Sequence, residues 1–316
     1  MPLPAFTTVF LAPDAEEALA QVPSAAGVGQ ILDPEGRNLL IGRAANLRRW
    51  AASHLGRGKP VRKGRRPPTD LSPVAGAVAH AATTSSFQQR LVYERLMARH
   101  VPLAARRDLK PPGFLHLDLK ERFPRLSVRR FEEGDTLFGP FRDRRAAEKA
   151  REMLHKLRPL RPCDYTFEPD PALPLGLGCL YAQVRSCAAP CLARITEEDY
   201  RAMAGRLARE LARPDRREEG TGLPAWVSAV DGRGVVVARG ASGVELYPVR
   251  AGRVLDQAAL LAPADAWESA LAAIRWGDER EIPAEAPADW PWLSAWLHSP
   301  AGRTSFIYAG AALEGG

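Results

Sequence analysis

Hydrophobic and polar positions follow two periods along this chain, one typical of strands and the other typical of helices. Ala26–Leu32 and Asn38–Gly42 are short apolar runs, and the turn-forming segment Asp33–Arg37 between them predicts a β-hairpin. Residues 114–119 partly alternate apolar and polar side chains, which predicts another strand. Leu137–Phe141 contains adjacent glycine and proline, which predicts a turn. These runs predict a small twisted sheet.

Four other segments have the period of helices. The predicted helices start at Asn46, run over Ser85–His100 and Asp143–Leu157, and open at Thr196. In the last helix, Asp199 follows Thr196 by three residues, which resembles a capping box. Strands and helices together predict an α/β (α+β) fold in which helices pack on a small sheet.

The C-terminal third differs in composition from the rest. Pro214–Gly222 predicts a linker, and Val227–Leu255 predicts a β-meander with glycine-rich turns. Five tryptophans follow, for which core or interface packing is the expectation: Trp267, Trp276, Trp290, Trp292 and Trp296. The predicted domains are residues 1–105, a middle region 106–213 with a Cys-rich helical unit, the linker 214–222, and a small acidic β-rich domain 223–316.

Composition and hydropathy restrict the class of protein. The chain has 316 residues, of which 46% are hydrophobic and 26% charged, and this is the usual mixture for a globular protein. It contains no run of about 18 apolar residues, so no transmembrane helix or membrane partner is predicted. The N-terminal segment has neither the basic region nor the cleavage site of a signal peptide, and the predicted location is therefore the cytoplasm.

Positive charge is concentrated in one segment. The net charge is +7, and residues 37–66 contain ten Lys/Arg and no acidic residue. The glycines and prolines of Gly56–Pro68 exclude a regular helix and predict an exposed basic loop. Such a loop neutralises phosphates, so nucleic acid is the predicted partner. A solvated loop without a partner is the alternative.

All four cysteines lie within 29 residues, with the spacing C-x15-C-x7-C-x3-C. Four thiolates are suited to zinc or to an iron–sulfur cluster, because soft ligands select such metals. The alternative is four separate buried thiols. The sequence therefore predicts a metal centre on Cys163, Cys179, Cys187 and Cys191.

The segment Gly27–Trp50 reads GVGQILDPEGRNLLIGRAANLRRW. Its GVG and LIG triplets align without a gap with the GVY and YVG triplets of the GIY-YIG nuclease domain in the UvrC/Cho family. Leu137–Ala150 is similar to the family's YFGPF element, and Cys179–Tyr200 is similar to its CLYYQIGRCLAPCVGRISEEEY. The sequence thus resembles the N-terminal half of these excision-repair endonucleases over about residues 20–200. The resemblance implies a 4Fe–4S cluster on the four cysteines, with zinc as the alternative.

Catalysis in that family uses tyrosines, an arginine and a glutamate that holds a divalent metal. The family's site positions fall on Gly29, Leu40, Arg43, Trp50, His54, Tyr93 and Ala105. Arg43 keeps the positive charge of the family's lysine, whereas the tyrosines, the arginine and the metal ligand are replaced. Glu94, one position after the metal-ligand position, is a possible substitute. The resemblance therefore implies no intact catalytic set and the loss of the Mg/Mn site.

The prediction is a catalytically inactive pseudo-nuclease that binds DNA or excision-repair proteins. Its predicted DNA-binding residues are Arg43, Arg48, Arg49, Arg57, Lys59, Arg62, Lys63, Arg65 and Arg66. One alternative is an active metal-dependent, structure-specific endonuclease that uses His54, Arg48 and Glu94. Another is a cluster-bearing module that binds a protein through its acidic C-terminal part.

Overall fold

The computed structural model describes residues 3–12, 14–58, 67–102, 105–106, 109–131, 137–173, 179–212, 223, 227–229, 233–240, 243–250, 252–255, 259–261, 268, 272, 289–300 and 306–308. The chain divides into two compact units. The first comprises Met1–Arg107, Val237–Tyr247 and Asp256–Ser269, and the second comprises the rest. No helix within the described ranges is long and apolar enough to cross a membrane.

The first unit contains a four-stranded antiparallel sheet. Its strands are β1 (Thr7–Phe10), β2 (Gly27–Leu32), β3 (Asn38–Ala44) and β4 (Ala77–Ala82), in the order β1-β4-β2-β3. The predicted hairpin is confirmed as β2 and β3. Asp33 closes its turn by accepting hydrogen bonds from the backbone and the guanidinium of Arg37. This turn sets the register that places Gly29 opposite Gly42.

Three helices accompany this sheet: α1 (Ala15–Gln21), α2 (Leu47–His54) and α3 (Ser86–His100). The helices predicted from Asn46 and Ser85 are confirmed, and both residues are N-caps whose side chains accept backbone hydrogen bonds. Helices α2 and α3 cover opposite faces of the sheet. Neighbouring residues of a strand point to opposite faces, and β2 shows this for two successive residues. Gly29 faces α2, whereas Val28 packs against α3.

The second unit contains another antiparallel sheet. Its strands are β5 (Gly113–Leu117), β6 (Leu126–Arg129), β7 (Leu137–Phe141) and β8 (Ser228–Ala229), in the order β6-β5-β7-β8. The turn predicted at Leu137–Phe141 is wrong, because this segment is a buried strand paired with β5. Gly139 is a packing requirement: a Cβ there would lie 2.5 Å from the Phe114 ring. Helix α4 (Arg144–Leu157) follows, as predicted.

The cysteine segment is less helical than predicted. In its described residues, 163–173 and 179–191, the helical elements are α5 (Leu180–Gln183) and a 3-10 turn that begins at Pro190. Non-glycine residues with left-handed backbone angles occur at Arg185, Ala189 and Ala193. A residue with such angles interrupts a right-handed helix. Regular helix resumes at α6 (Glu197–Ala212), and Thr196 caps it: the Asp199 N–H donates to the Thr196 hydroxyl at 3.1 Å.

The C-terminal part forms a third antiparallel sheet. Its strands are β9 (Arg233–Gly240), β10 (Gly243–Arg250), β11 (Arg253–Val254), β12 (Ala259–Leu261) and β13 (Phe306–Tyr308). The order is β11-β10-β9-β13, with β12 also on β10, so the predicted meander is confirmed in β9–β11. Helix α7 (Trp290–Leu297) buries Trp290 and Trp292, as expected for core packing. The predicted linker, Trp267 and Trp276 lie outside the described residues.

Candidate functional site

One indole ring covers the sheet face that carries the nuclease-like motif. A Cβ built on Gly29 would lie 2.3 Å from Cζ3 of Trp50, and a Cβ on Gly42 would lie 2.7 Å from its Nε1. Real Cβ atoms do not approach other atoms so closely, so both positions must remain glycine while the ring lies there. Trp50 therefore occupies the space above β2 and β3 that larger side chains at these positions would fill.

Other predicted positions surround this ring. Leu40 is half-buried on β3, and His54 is half-buried at the end of α2. The His54 ring meets Trp50 edge-on with ring centroids 5.5 Å apart, and its Nδ1 is 3.2 Å from the Thr69 carbonyl oxygen. The structure thus brings Gly29, Trp50 and His54 together.

The sequence analysis did not identify His80. It is the register partner of Gly29 across β4 and β2, so the two residues share a sheet face. Its side chain is buried, and its Nε2 has no hydrogen-bond partner among the described residues. Burial lowers the pKa of His80, which keeps the imidazole neutral at pH 7. The signal that could have identified it is a single polar residue within the apolar run Ala77–Ala82.

On the opposite face of the sheet, Tyr93 is surrounded by arginines. The guanidinium carbon of Arg43 is 5.2 Å from the centre of the Tyr93 ring, and those of Arg106 and Arg90 are 5.8 Å and 6.0 Å away. Such distances correspond to cation–π contacts. The position that the resemblance implies for a metal ligand is therefore an aromatic ring among cations.

Glu94 is part of a buried ion-pair network. Its Oε1 is 2.6 Å from Nε of Arg90, and its Oε2 is 2.8 Å from Nη1 of Arg106. The Glu94 side chain is only 3% exposed. Both carboxylate oxygens are thus engaged by arginines, and this leaves no open carboxylate for a hydrated metal ion. Ala105, beside Arg106, is exposed and offers no functional group.

The described cations predicted to bind DNA have different surroundings. Arg48 donates hydrogen bonds to the carbonyl oxygens of Ala20 and Val22 at 2.8 and 2.7 Å, so it caps the C-terminus of α1. Arg57 forms an ion pair with an exposed glutamate, and Arg43 and Arg49 are exposed. The remaining predicted residues lie outside the described part of the chain: Lys59, Arg62, Lys63, Arg65 and Arg66.

The four cysteines are free thiols in the second unit. Cys187 is buried and the other three are half-buried. Burial raises the pKa of Cys187 to about 11, and the charges of Cys163, Cys179 and Cys191 add to this rise. Burial and the charges of Cys163 and Cys179 likewise raise the pKa of Cys191. Burial is the largest cause of both shifts.

The chemistry of the cysteines and their arrangement are separate findings. Within the described ranges, no three His, Cys, Asp or Glu side chains are arranged to hold a metal ion. The donor chemistry nevertheless fits a soft or borderline metal, because the cysteines supply four thiols. The Ala189 N–H also donates a hydrogen bond to the Cys187 sulfur at 3.3 Å. Contacts of this kind stabilise a thiolate ligand.

Buried hydrogen bonds fix the start of the cysteine segment. The backbone N–H of Arg161 donates to the Tyr200 hydroxyl at 2.7 Å, and that hydroxyl donates to the Pro124 carbonyl oxygen at 2.9 Å. The Arg161 guanidinium donates to the carbonyl oxygens of Phe123 and Cys163. Because polar groups rarely remain buried without partners, this network specifies where Cys163 lies.

Residues 114–210 match the family described as UvrC/Cho excinuclease, middle domain. The chain resembles UvrC. A curated relative, UvrABC system protein C of Trichlorobacter lovleyi, is 30% identical over 188 residues, which are 58% of this chain and 30% of the relative. The corresponding protein of Methylobacillus flagellatus is 26% identical over 190 residues, 60% of this chain and 31% of the relative. No solved structure gives a significant match.

The family model covers only part of the chain. The matched middle-domain segment contains all four cysteines together with Arg161 and Tyr200. The motif positions around Trp50 lie outside that segment. The aligned part spans only about 30% of the length of the curated UvrC relatives.

Proposed function

We propose that this UvrC-like chain acts in nucleotide excision repair as a DNA-binding protein that does not cut DNA at its nuclease-like site. The observation that carries the proposal is the indole of Trp50 lying on Gly29 and Gly42. The UvrC resemblance assigns the first catalytic tyrosine to Gly29 and the arginine to Trp50. The indole fills the space that a tyrosine side chain at Gly29 would need, and it lacks the positive charge of an arginine.

Two other positions that the resemblance implies for the reaction also support the proposal. Hydrolysis of a phosphodiester needs a proton acceptor for the attacking water and positive charge at the scissile phosphate. Leu40 can supply neither, and Glu94 is already neutralised by Arg90 and Arg106. Removing one such group commonly lowers the rate about 100-fold, so the combined replacements are expected to abolish cutting.

We also propose that Cys163, Cys179, Cys187 and Cys191 hold a 4Fe–4S cluster, with zinc as the alternative occupant. The four free thiols and the N–H donor of Ala189 support this assignment. When bound, the cluster would link the irregular segment between Cys163 and Cys191, because metal-binding free energy contributes to folding in such modules. Loading would require the thiols to converge further than they do here.

Cleavage is the direct test of the pseudo-nuclease proposal. The full chain, purified without oxygen, is incubated with magnesium or manganese and either supercoiled plasmid or a lesion-bearing duplex. No nicking above the buffer control is the expected result. Nicking by the wild-type chain that disappears in His54→Ala would overturn the proposal, because the site would then have been rebuilt around other residues.

Salt dependence tests the DNA-binding proposal separately. Affinity for a short duplex is measured over a series of salt concentrations for the wild type, Lys63→Ala/Arg65→Ala and the control Arg145→Ala/Lys149→Ala, which removes two exposed cations of α4. Losing two phosphate contacts should reduce the slope of log affinity against log salt by about 2. Equal slopes in all three proteins would contradict DNA binding through the basic segment and favour a protein-interaction module.

A further inference from the structure

The Trp50 ring lies flat on the sheet. Its six-membered ring atoms Cζ3, Cε3 and Cη2 are the nearest atoms to a Cβ built on Gly29. Its Nε1, Cε2 and Cζ2 are the nearest atoms to a Cβ built on Gly42. The six-membered ring thus lies over β2 and the Nε1 side of the indole lies over β3. One face of the indole therefore rests on both strands. The other face is turned away from the sheet.

The ring also lies in the most basic part of the sequence. Trp50 is half-buried, and it is the only Phe, Tyr or Trp in residues 37–66, where ten Lys/Arg occur without an acidic residue. Exposed Arg49 is its neighbour on α2, and exposed Arg57 follows the end of that helix. A flat aromatic ring among cations is the combination by which proteins bind single-stranded nucleic acid.

We propose that Trp50 is a stacking platform for an unpaired base of single-stranded DNA. The inference rests on the proposed DNA-binding function and specifies the form of DNA that the site prefers. A base within an intact duplex has neighbours on both faces and offers none to the indole, whereas an unpaired base can stack on it. The surrounding cations would contact the phosphates of the same strand.

The two glycines position the platform. A side chain at Gly29 or Gly42 would lift the ring from the sheet, because its Cβ would lie within 3 Å of indole atoms. Flatness therefore depends on the pairing of Gly29 with Gly42 across the hairpin. Neither glycine needs to touch DNA for this role.

The test compares binding of a 12-nucleotide oligothymidine, the matching oligouridine and a blunt duplex to the full chain. Trp50→Leu removes the aromatic ring, Trp50→Phe keeps a smaller one, and Phe10→Leu removes a 73% exposed aromatic side chain from β1 as a control. Trp50→Leu is expected to weaken oligothymidine binding about 5- to 150-fold, the range for loss of one stacked base. Duplex binding should change less than about twofold.

The variants separate the possible results. Trp50→Phe should retain most of the oligothymidine affinity and Phe10→Leu all of it, which would exclude a general folding defect as the cause. Unchanged oligothymidine binding by Trp50→Leu, or equal weakening on oligothymidine and duplex, would overturn the stacking proposal. Preference of the wild type for oligouridine would overturn the assignment to DNA. A wild type that binds none of the three ligands would instead contradict the proposed DNA-binding function.

Discussion

Trp50 and Gly29 are complementary in shape, since a Cβ on Gly29 would lie 2.3 Å from Cζ3 of the indole. Strand β2 therefore tolerates no side chain at this position while the ring is in place. Gly29 and Trp50 thus form one packing arrangement.

This complementarity should appear as coupling between the two positions. Gly29→Ala is expected to lower the free energy of unfolding by about 1–3 kcal/mol, because the added methyl group collides with the indole. In Trp50→Leu the same alanine should cost at least about 1 kcal/mol less. Urea unfolding of the wild type, both single variants and the double variant measures this difference. Strictly additive effects would show that the ring does not rest on Gly29.

Glu94 is expected to be a structural residue. Glu94→Gln leaves Arg90 and Arg106 without their shared carboxylate, and breaking a buried ion pair commonly costs about 3–5 kcal/mol. Glu35→Gln is the matched control, because Glu35 pairs with Arg37 at the exposed surface and should cost less than about 1 kcal/mol. Both variants are compared by chemical unfolding with and without magnesium. Stabilisation of the wild type by magnesium that is lost in Glu94→Gln would indicate a metal ligand.

His155 should make stability depend on pH. It is buried on α4, its Nε2 has no partner in the described part of the chain, and burial together with nearby Arg151 lowers its pKa to about 4. The unfolded imidazole, with a pKa of about 6.5, binds a proton first as pH falls. The contribution is therefore fully present above about pH 6.5 and is lost as pH falls towards 4.

His155→Leu removes this titration. The effect of the substitution on the free energy of unfolding should therefore differ between pH 5 and pH 8. It should be about 2 kcal/mol more stabilising at pH 5 than at pH 8. Thermal or urea unfolding of the wild type and the variant at both pH values measures the difference. A His155→Leu variant with the same pH profile as the wild type would contradict a buried neutral imidazole.

Loss of one cysteine should remove the proposed cluster. In protein purified without oxygen, Cys187→Ser is expected to lose the bound iron and its visible absorption, and to unfold at lower denaturant concentration. Ser186→Ala, a change at the adjacent residue, should retain both properties. Zinc in place of iron, again lost only in Cys187→Ser, would favour the zinc alternative. Equal metal content in the two variants would contradict ligation by Cys187.

Local patterns predicted the elements that local interactions form. The hairpin of β2 and β3 followed from a turn between apolar runs, and the start of α6 followed from the spacing of Thr196 and Asp199. Leu137–Phe141 was predicted wrongly because glycine and proline usually mark turns. Its pairing with β5 depends on residues more than 20 positions away. His80 was missed for a similar reason: it pairs directly with Gly29 on the neighbouring strand, and these two residues are far apart in the sequence.

The sequence by itself determined the periodicity of helices and strands, the basic segment, the clustered cysteines and the UvrC resemblance. These features depend on residue type and spacing, which the chain carries wherever its elements pack. Only the tertiary structure decided that Trp50 fills the space above Gly29 and that Glu94 is neutralised by Arg106. Such contacts depend on which faces of separate elements meet, and spacing along the chain does not specify this.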